Sequence, residues 1–419
     1  MKAVLVSLLF LLAADSFAQK KPDPALELYF AANAAYNRKL YPIAAGNYQK
    51  FLATHGSHEK AQLARYGLGL SQFRLKQYDR AVGEFRRLLD DRKLDAKIER
   101  GRLTLLHAQC LLYSGKADEA QQRLVAAASN LKPGVHRTGA MAAVADLYFN
   151  KKDWAKTVEW ARKVQGVAPT PMQSIRAGYQ EGFAQFKLEK IAEAVTALVR
   201  GRGQAVATKS ADWVTRMDFL LGECHLAAGN LELAEASLKG ALPGLVGEPK
   251  ADCLYRLGMV KFDLKKWEFA QADFQSFLNE SKKPADEDLR RREAEFLVAR
   301  CLMEQKKNGP AEQRFNALGN GNDDVAARAY LWRGRLHSRQ KNYDAAAGAL
   351  RGALDKEWYK KGVPAKPGQP PAFWVADVDF DHANALMLQP NPNWAEAIKY
   401  LQRVQQRRGD YPQIDAVQS

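Results

Sequence analysis

Cysteine is scarce and widely spread, which disfavours a disulfide framework although the count is even. Cys110, Cys224, Cys253 and Cys301 are the only four in 419 residues, and no two lie close together. No apolar run reaches the ~20 residues that a membrane-spanning helix needs. Glycine and proline, 29 and 17 residues, are near their ordinary share, which excludes collagen-like and low-complexity chains. Acidic residues are in deficit, 47 Asp and Glu against 63 Lys and Arg, so the chain carries +16. Such a charge favours anionic partners, and salt screens the attraction. The chain is 47% hydrophobic, enough to bury a core, but 419 residues exceed the ~250–300 at which one core stops growing. Several domains or a repeat array is expected.

Met1-Lys2, an apolar run from Ala3 to Ala14, and Ser16-Phe17-Ala18 before Gln19 read as a secretory signal peptide over residues 1–18, cut after Ala18. The run is too short to span a bilayer, and no Cys follows it to take a lipid anchor. The expected location is therefore outside the cytoplasm, periplasmic or extracellular. Nucleic acid is not expected there as a partner. A merely soluble basic surface is the first explanation of the charge, and weak attraction to anionic surfaces the second.

A bulky residue three before an alanine and an apolar residue four after it recur along the chain, as in Tyr78, Ala81 and Phe85. The central residue is a marker at Ala44, Ala81, Ala120, Thr157, Ala194, Ala234, Ala270, Ala311, Ala346 and Ala397. Twelve residues upstream stand Ala32, Gly69, Ala108, Ala145, Gly182, Gly222, Gly258, Ala299, Gly334 and Ala385. All ten are Gly or Ala, in a chain where those types total 95 of 419 residues, so chance does not account for them. Close approach of two antiparallel helices does: small residues facing each other let the axes near the lower end of the ~8–10 Å range. The expectation is an all-α α-solenoid of about ten stacked helical hairpins. Residues 19–354 form the first nine, 355–376 a Pro-rich loop containing Val363 to Pro371, 377–407 the last hairpin and 408–419 a tail. Cys110, Cys224 and Cys301 share one register position, which reads as buried free thiols.

Tyr66-Gly67-Leu68-Gly69 with Tyr78 to Phe85, and Leu257-Gly258 with Trp267 to Phe274, resemble tetratricopeptide repeats, whose pattern is Leu-Gly followed by Ala-x3-Phe. The resemblance covers residues 25–407. Marker spacings of 35 to 51 exceed the family's usual 34, and its closing proline stands in place only at Pro169. The chain is similar to the repeat regions of exported bacterial proteins, the periplasmic coordinators that work beside the Tol-Pal and outer-membrane assembly systems.

Chemistry is sparse. His55 and His58 have no third ligand nearby, and Cys224-His225 point apart on a helix, so no metal and no cofactor is expected. Gly201-Arg202-Gly203 reads as a helix-ending turn rather than a dinucleotide fingerprint. Glu280-Ser281 shares two letters with soluble lytic transglycosylases, but Lys282-Lys283-Pro284 follows and no catalytic domain is left over. A cell-wall lytic enzyme is the third reading, behind the expectation that the chain is not an enzyme.

First helices carry an aromatic stripe edged with arginine. Tyr66, Phe73, Tyr179, Phe183, Phe219, Tyr255, Phe262 and Phe296, with Arg102, Arg176, Arg216 and Arg300, are the candidate groove. Since first helices line the concave side in the resembled family, this implies a non-catalytic envelope adaptor or scaffold that binds a protein or peptide partner there. Aromatics stand where a carboxylate-gripping lysine would be expected, which disfavours terminal-carboxylate capture. The same stripe can instead pack against the neighbouring hairpin. The alternative function is binding of peptidoglycan or an acidic polysaccharide; sugar-binding relatives of the SusD type carry an anchor Cys and large insertions absent here.

Overall fold

The computed structural model describes residues 23–167, 170–282, 289–321, 323–361 and 372–412. The expected signal peptide, Pro169, Val363 to Pro371 and the end of the tail lie outside them. The fold is an all-α solenoid of helical hairpins, with no strand among the described residues. The chain divides into two compact units, residues 1–173 and 174–419.

The first unit holds four hairpins: α1 (Pro24–Asn37) with α2 (Tyr41–Thr54), α3 (Ala61–Arg74) with α4 (Tyr78–Asp90), α5 (Arg100–Tyr113) with α6 (Ala117–Asn130), and α7 (Val135–Asn150) with α8 (Trp154–Gln165). The second unit takes α9 (Pro171–Lys187), which opens at the boundary, with α10 (Ile191–Ala207), then α11 (Ala211–Ala227) with α12 (Leu231–Ala241). It continues through α13 (Glu248–Asp263) and α14 (Trp267–Glu280), α15 (Leu289–Glu304) and α16 (Asn308–Gly319), and α17 (Asp324–Arg339) and α18 (Tyr343–Leu354). It closes with α19 (Glu357–Lys361), α20 (Phe373–Leu388) and α21 (Trp394–Arg407).

All ten markers are fully buried. The contact they share with the small residues differs in detail from the expectation that small faces small. A Cβ built on Gly69 would lie 2.5 Å from the Phe85 ring, and one on Gly258 2.6 Å from that of Phe274. Gly182, Gly222 and Gly334 stand in the same way to Leu198, Leu238 and Leu350. Each is the residue four after its marker, so the small residue is a socket for a bulky side chain, worth roughly 1.5–3 kcal/mol of burial. Close approach of the helices is still required, and at Gly182 the built Cβ is 3.2 Å from the Ala194 carbonyl oxygen.

Nine of the ten first helices stop by the same device. The peptide N–H groups of Lys76 and Gln77 donate to the carbonyls of Phe73 and Gln72, at 3.1 and 2.8 Å, a closure that requires a left-handed residue at 76. The equivalent residues in nine of the ten hairpins have positive φ, and only two of the nine, Gly115 and Gly229, are glycine.

Three local expectations are corrected. Gly201-Arg202-Gly203 lies inside α10 and does not end it: a Cβ on Gly201 would meet Met217 Cε at 2.7 Å, and Arg202 pairs with Asp218 of α11. The expected loop 355–376 contains α19, whose buried Tyr359 donates its hydroxyl to the buried Asp379. The last hairpin opens at Phe373, four residues before the expected 377, because Val375 and Ala376 extend its buried face. Burial raises the Asp379 carboxyl to about 6 even though Tyr359, Arg403 and Arg407 all face it. The four cysteines are buried free thiols, pushed up to about 12 by burial.

The socket rule gives a paired test. Gly258→Val should destabilise by about 2 kcal/mol, through overpacking against Phe274. Gly83→Ala, at a helical glycine with nothing within 4 Å, should stabilise by about 0.5–1 kcal/mol. Denaturant melts of the two variants check both signs.

Candidate functional site

The first-helix face of the second unit carries a groove of about 380 Å³, lined by α9, α11 and the start of α13. Four of the sequence-identified residues meet there: Tyr179, Phe183, Arg216 and Phe219. Phe186, Lys187, Leu220, Glu223, Leu245, Pro249 and Asp252 complete the wall.

The floor is aromatic and the rim charged. Tyr179 stacks edge-on against Trp213, 5.6 Å between ring centres, and lies 6.1 Å from Phe183. Lys187 Nζ sits 5.4 Å over the Phe183 ring and 5.7 Å over that of Phe186. Arg216 lies over Trp213 at 5.7 Å, and Arg256 over Phe219 at 5.6 Å. Arg256 also reaches Glu223 at 3.0 Å and Asp252 at 3.2 Å, and Asp252 accepts from Arg290 at 2.6 Å. Burial raises the Glu223 carboxyl against the opposing pull of Arg256, and burial raises the Tyr179 phenol. Apolar rings beside fixed charges of both signs can hold an apolar anchor and orient a peptide main chain.

The other sequence-identified residues lie elsewhere. Arg176 is exposed on α9 outside the groove wall. Tyr255 packs 5.9 and 5.2 Å from Phe274 and Phe277 under the guanidinium of Arg290. Phe296 is only 2% exposed, sealed by Phe315 and Arg328. Phe262 and Arg300 pack together at 5.2 Å, and Arg300 lies 3.3 Å over the Trp332 ring. Tyr66, Phe73 and Arg102 belong to the first unit, where Tyr66 packs on Phe85 and Phe73 on Tyr78 and Tyr113, while Arg102 is exposed. Sequence reasoning missed Glu223, which follows its socket Gly222 as Phe183 follows Gly182. It also missed Leu245 and Pro249, brought in by a 3₁₀ turn at Leu242–Gly244 that has no counterpart in the register.

Among the described residues no group of three or more His, Cys, Asp and Glu is placed to hold a metal ion. His58 Nε2 instead meets Asp23 at 3.3 Å. Glu280 is engaged by Lys250 at 3.0 Å, which holds its carboxyl below the usual range, the opposite of what a general acid requires. Among the described residues no helix is long and apolar enough to cross a membrane.

A tetratricopeptide repeat profile matches residues 29–96 and 302–370. These stretches are tetratricopeptide repeats. Among solved structures the chain is similar to the apo form of RapI, with a TM-score of 0.46 and 11% identity over 81% of this chain and 99% of that one. It is also similar to a tetratricopeptide repeat protein from Parabacteroides merdae, with a TM-score of 0.41 and 13% identity over 66% of this chain and 98% of that one. The Cut9–Hcn1 hetero-tetramer of the APC/C gives a TM-score of 0.39 and 13% identity over 94% of this chain and 96% of that one. No curated protein matches. The hairpin register accounts for the groove falling on first helices: second helices use their small stripe for the hairpin contact.

Two buried histidines follow from that packing. His107 and His382 are fully buried with neither ring nitrogen partnered among the described residues, and burial lowers each to about 4 from 6.5. The unfolded chain takes up these protons first as pH falls, so stability present above pH 6.5 is lost on the way to 4. At pH 4 the loss is about 2–3 kcal/mol for each. His107→Leu should flatten the decline of the melting temperature between pH 6.5 and 4, and leave stability at pH 7.5 equal or higher.

Proposed function

We propose that this tetratricopeptide protein is a non-catalytic adaptor of the cell envelope, which holds a protein or peptide partner on its first helices. Tetratricopeptide repeats generally serve protein–protein interaction. The observation that carries the reading is the groove at Tyr179, Phe183 and Phe219, where aromatic rings line an open cleft instead of being sealed by the next hairpin. Export rests on the amino-terminal segment, with its basic start, short apolar run and Ser-Phe-Ala cleavage point. A partner that offers an apolar side chain to the rings, and backbone or basic groups to Glu223 and Asp252, fits the groove. An acidic glycan fits it less well, since the cations beside Glu223 and Asp252 are already paired with them and it offers the rings no apolar side chain.

The test is selection of peptides from a random library on the full chain, followed by affinity measurement against a variant. Tyr179→Ala, Arg216→Ala and Phe219→Ala together should weaken the selected peptides at least tenfold, with the melting transition retained. Unchanged affinity would remove the groove from the function. A readout of export is cleavage after Ala18, visible as an intact mass that begins at Gln19.

A further inference from the structure

Charge is unevenly placed along the chain. Residues 23–173 hold 24 Lys and Arg against 14 Asp and Glu, an excess of 10 out of the total +16. In this first unit the turns within the hairpins carry Lys39, Lys76 and Lys152 at left-handed φ of 62°, 59° and 57°. A Cβ is strained in that region, and lysine has no short polar group to relieve it; Gly115 fills the remaining turn at 76° without strain. The equivalent turns of the second unit carry Lys265, Lys306 and Lys341 at 58°, 61° and 61°, so a lysine at this turn belongs to the repeat register, and what sets the first unit apart is its excess of positive charge.

Two further observations give these lysines a purpose. Lys39, Lys76 and Lys152 are exposed and take part in no ion pair among the described residues. Lys116 and Lys151 on the same edge are held by Asp79 and Asp118 of the preceding hairpin, at 2.9 and 3.0 Å, which shows that successive turns are neighbours. Beside them stand exposed apolar side chains: Leu40 is 46% exposed, Ile43 55% and Tyr113 58%. Tyr113 stacks on Tyr78 of the previous turn at 4.8 Å, which fixes it at the edge.

We propose that this turn edge of the first unit docks onto an anionic lipid surface. Unpaired lysines would meet the headgroups, while Leu40, Ile43 and Tyr113 would enter the boundary between headgroups and acyl chains. A soluble acidic polymer would use the lysines but gain nothing from Leu40 and Ile43. The lipid surface uses both. At the opposite edge Lys60 pairs with Glu59, and His136 meets Glu99 at 2.8 Å.

Sedimentation of the full chain with phosphatidylcholine vesicles, with and without phosphatidylglycerol, tests the proposal. Binding is expected only with phosphatidylglycerol, and it should weaken as sodium chloride is raised. The combined variant Lys39→Gly, Lys76→Gly, Lys152→Gly should lose roughly a hundredfold in affinity, at about fivefold per lysine. Its melting temperature should rise, since glycine relieves each turn, so a loss of binding cannot be put down to unfolding. Leu40→Ser with Ile43→Ser should weaken binding while leaving its salt dependence unchanged. The proposal is overturned if phosphatidylglycerol vesicles are not bound, or if the glycine variant binds as the wild type does. It is equally overturned if polyglutamate binds as tightly as the vesicles and the serine variant makes no difference, the result that an acidic polymer partner would give.

Discussion

The hairpin contact depends on a bulky side chain entering a socket where the opposite helix has only a glycine, as at Gly69, Gly182, Gly222, Gly258 and Gly334. At Gly69 the occupant is Phe85 and at Gly258 it is Phe274, and in both a single added carbon would overlap the ring. The interaction is short-range and repeats itself. Each hairpin therefore contributes its own core, and stability accumulates by neighbour contacts. That resolves how 419 residues fold without one large centre. It also bears on the turn, because two helices this close must reverse direction within a few residues, and in nine of the ten hairpins a left-handed residue at the end of the first helix does this.

Much of this was legible in sequence, since a recurrence held at ten places survives noise in any one of them. The partner of the socket was not. The marker and the small residue are both small and both buried, so sequence spacing alone pairs them, whereas side chains tilted toward the helix N-terminus carry the residue four further on into the socket. The same limit applies to the aromatic stripe. Tyr179 and Phe296 stand at one register position, yet one lines a cleft and the other is sealed under Phe315 and Arg328. Register gives a side chain's direction but leaves open what the next hairpin places over it. Features outside the repeat were harder still: α19, with Tyr359 bonded to Asp379, comes from a stretch that reads as loop, and Leu245 and Pro249 reach the groove through a turn that occurs once.

The two uses proposed for the surface draw on different parts of the hairpin. The groove uses the side of the first helix, whereas the lysine edge uses the turn that ends it. Neither competes with the socket, which lies between the two helices. A solenoid built in this way can change its ligands without changing its core.

The residue immediately after each socket shows how narrow the division is. The sockets are held by Gly182, Gly222, Gly258, Ala299 and Gly334, yet the next residue is Phe183, Glu223, Met259, Arg300 and Arg335 in turn. One step of 100° around the helix separates a position fixed by packing from one that varies through aromatic, acidic, aliphatic and basic chemistry. Phe183 and Glu223 face the groove, while Arg300 and Arg335 lie over the Trp332 ring at 3.3 and 4.8 Å. Because the socket holds the backbone of each first helix in the same place, the side chain that follows it is presented from an equivalent point in every hairpin. The side chain presented can then change one residue at a time, from Phe183 to Glu223, without moving the point from which it is presented.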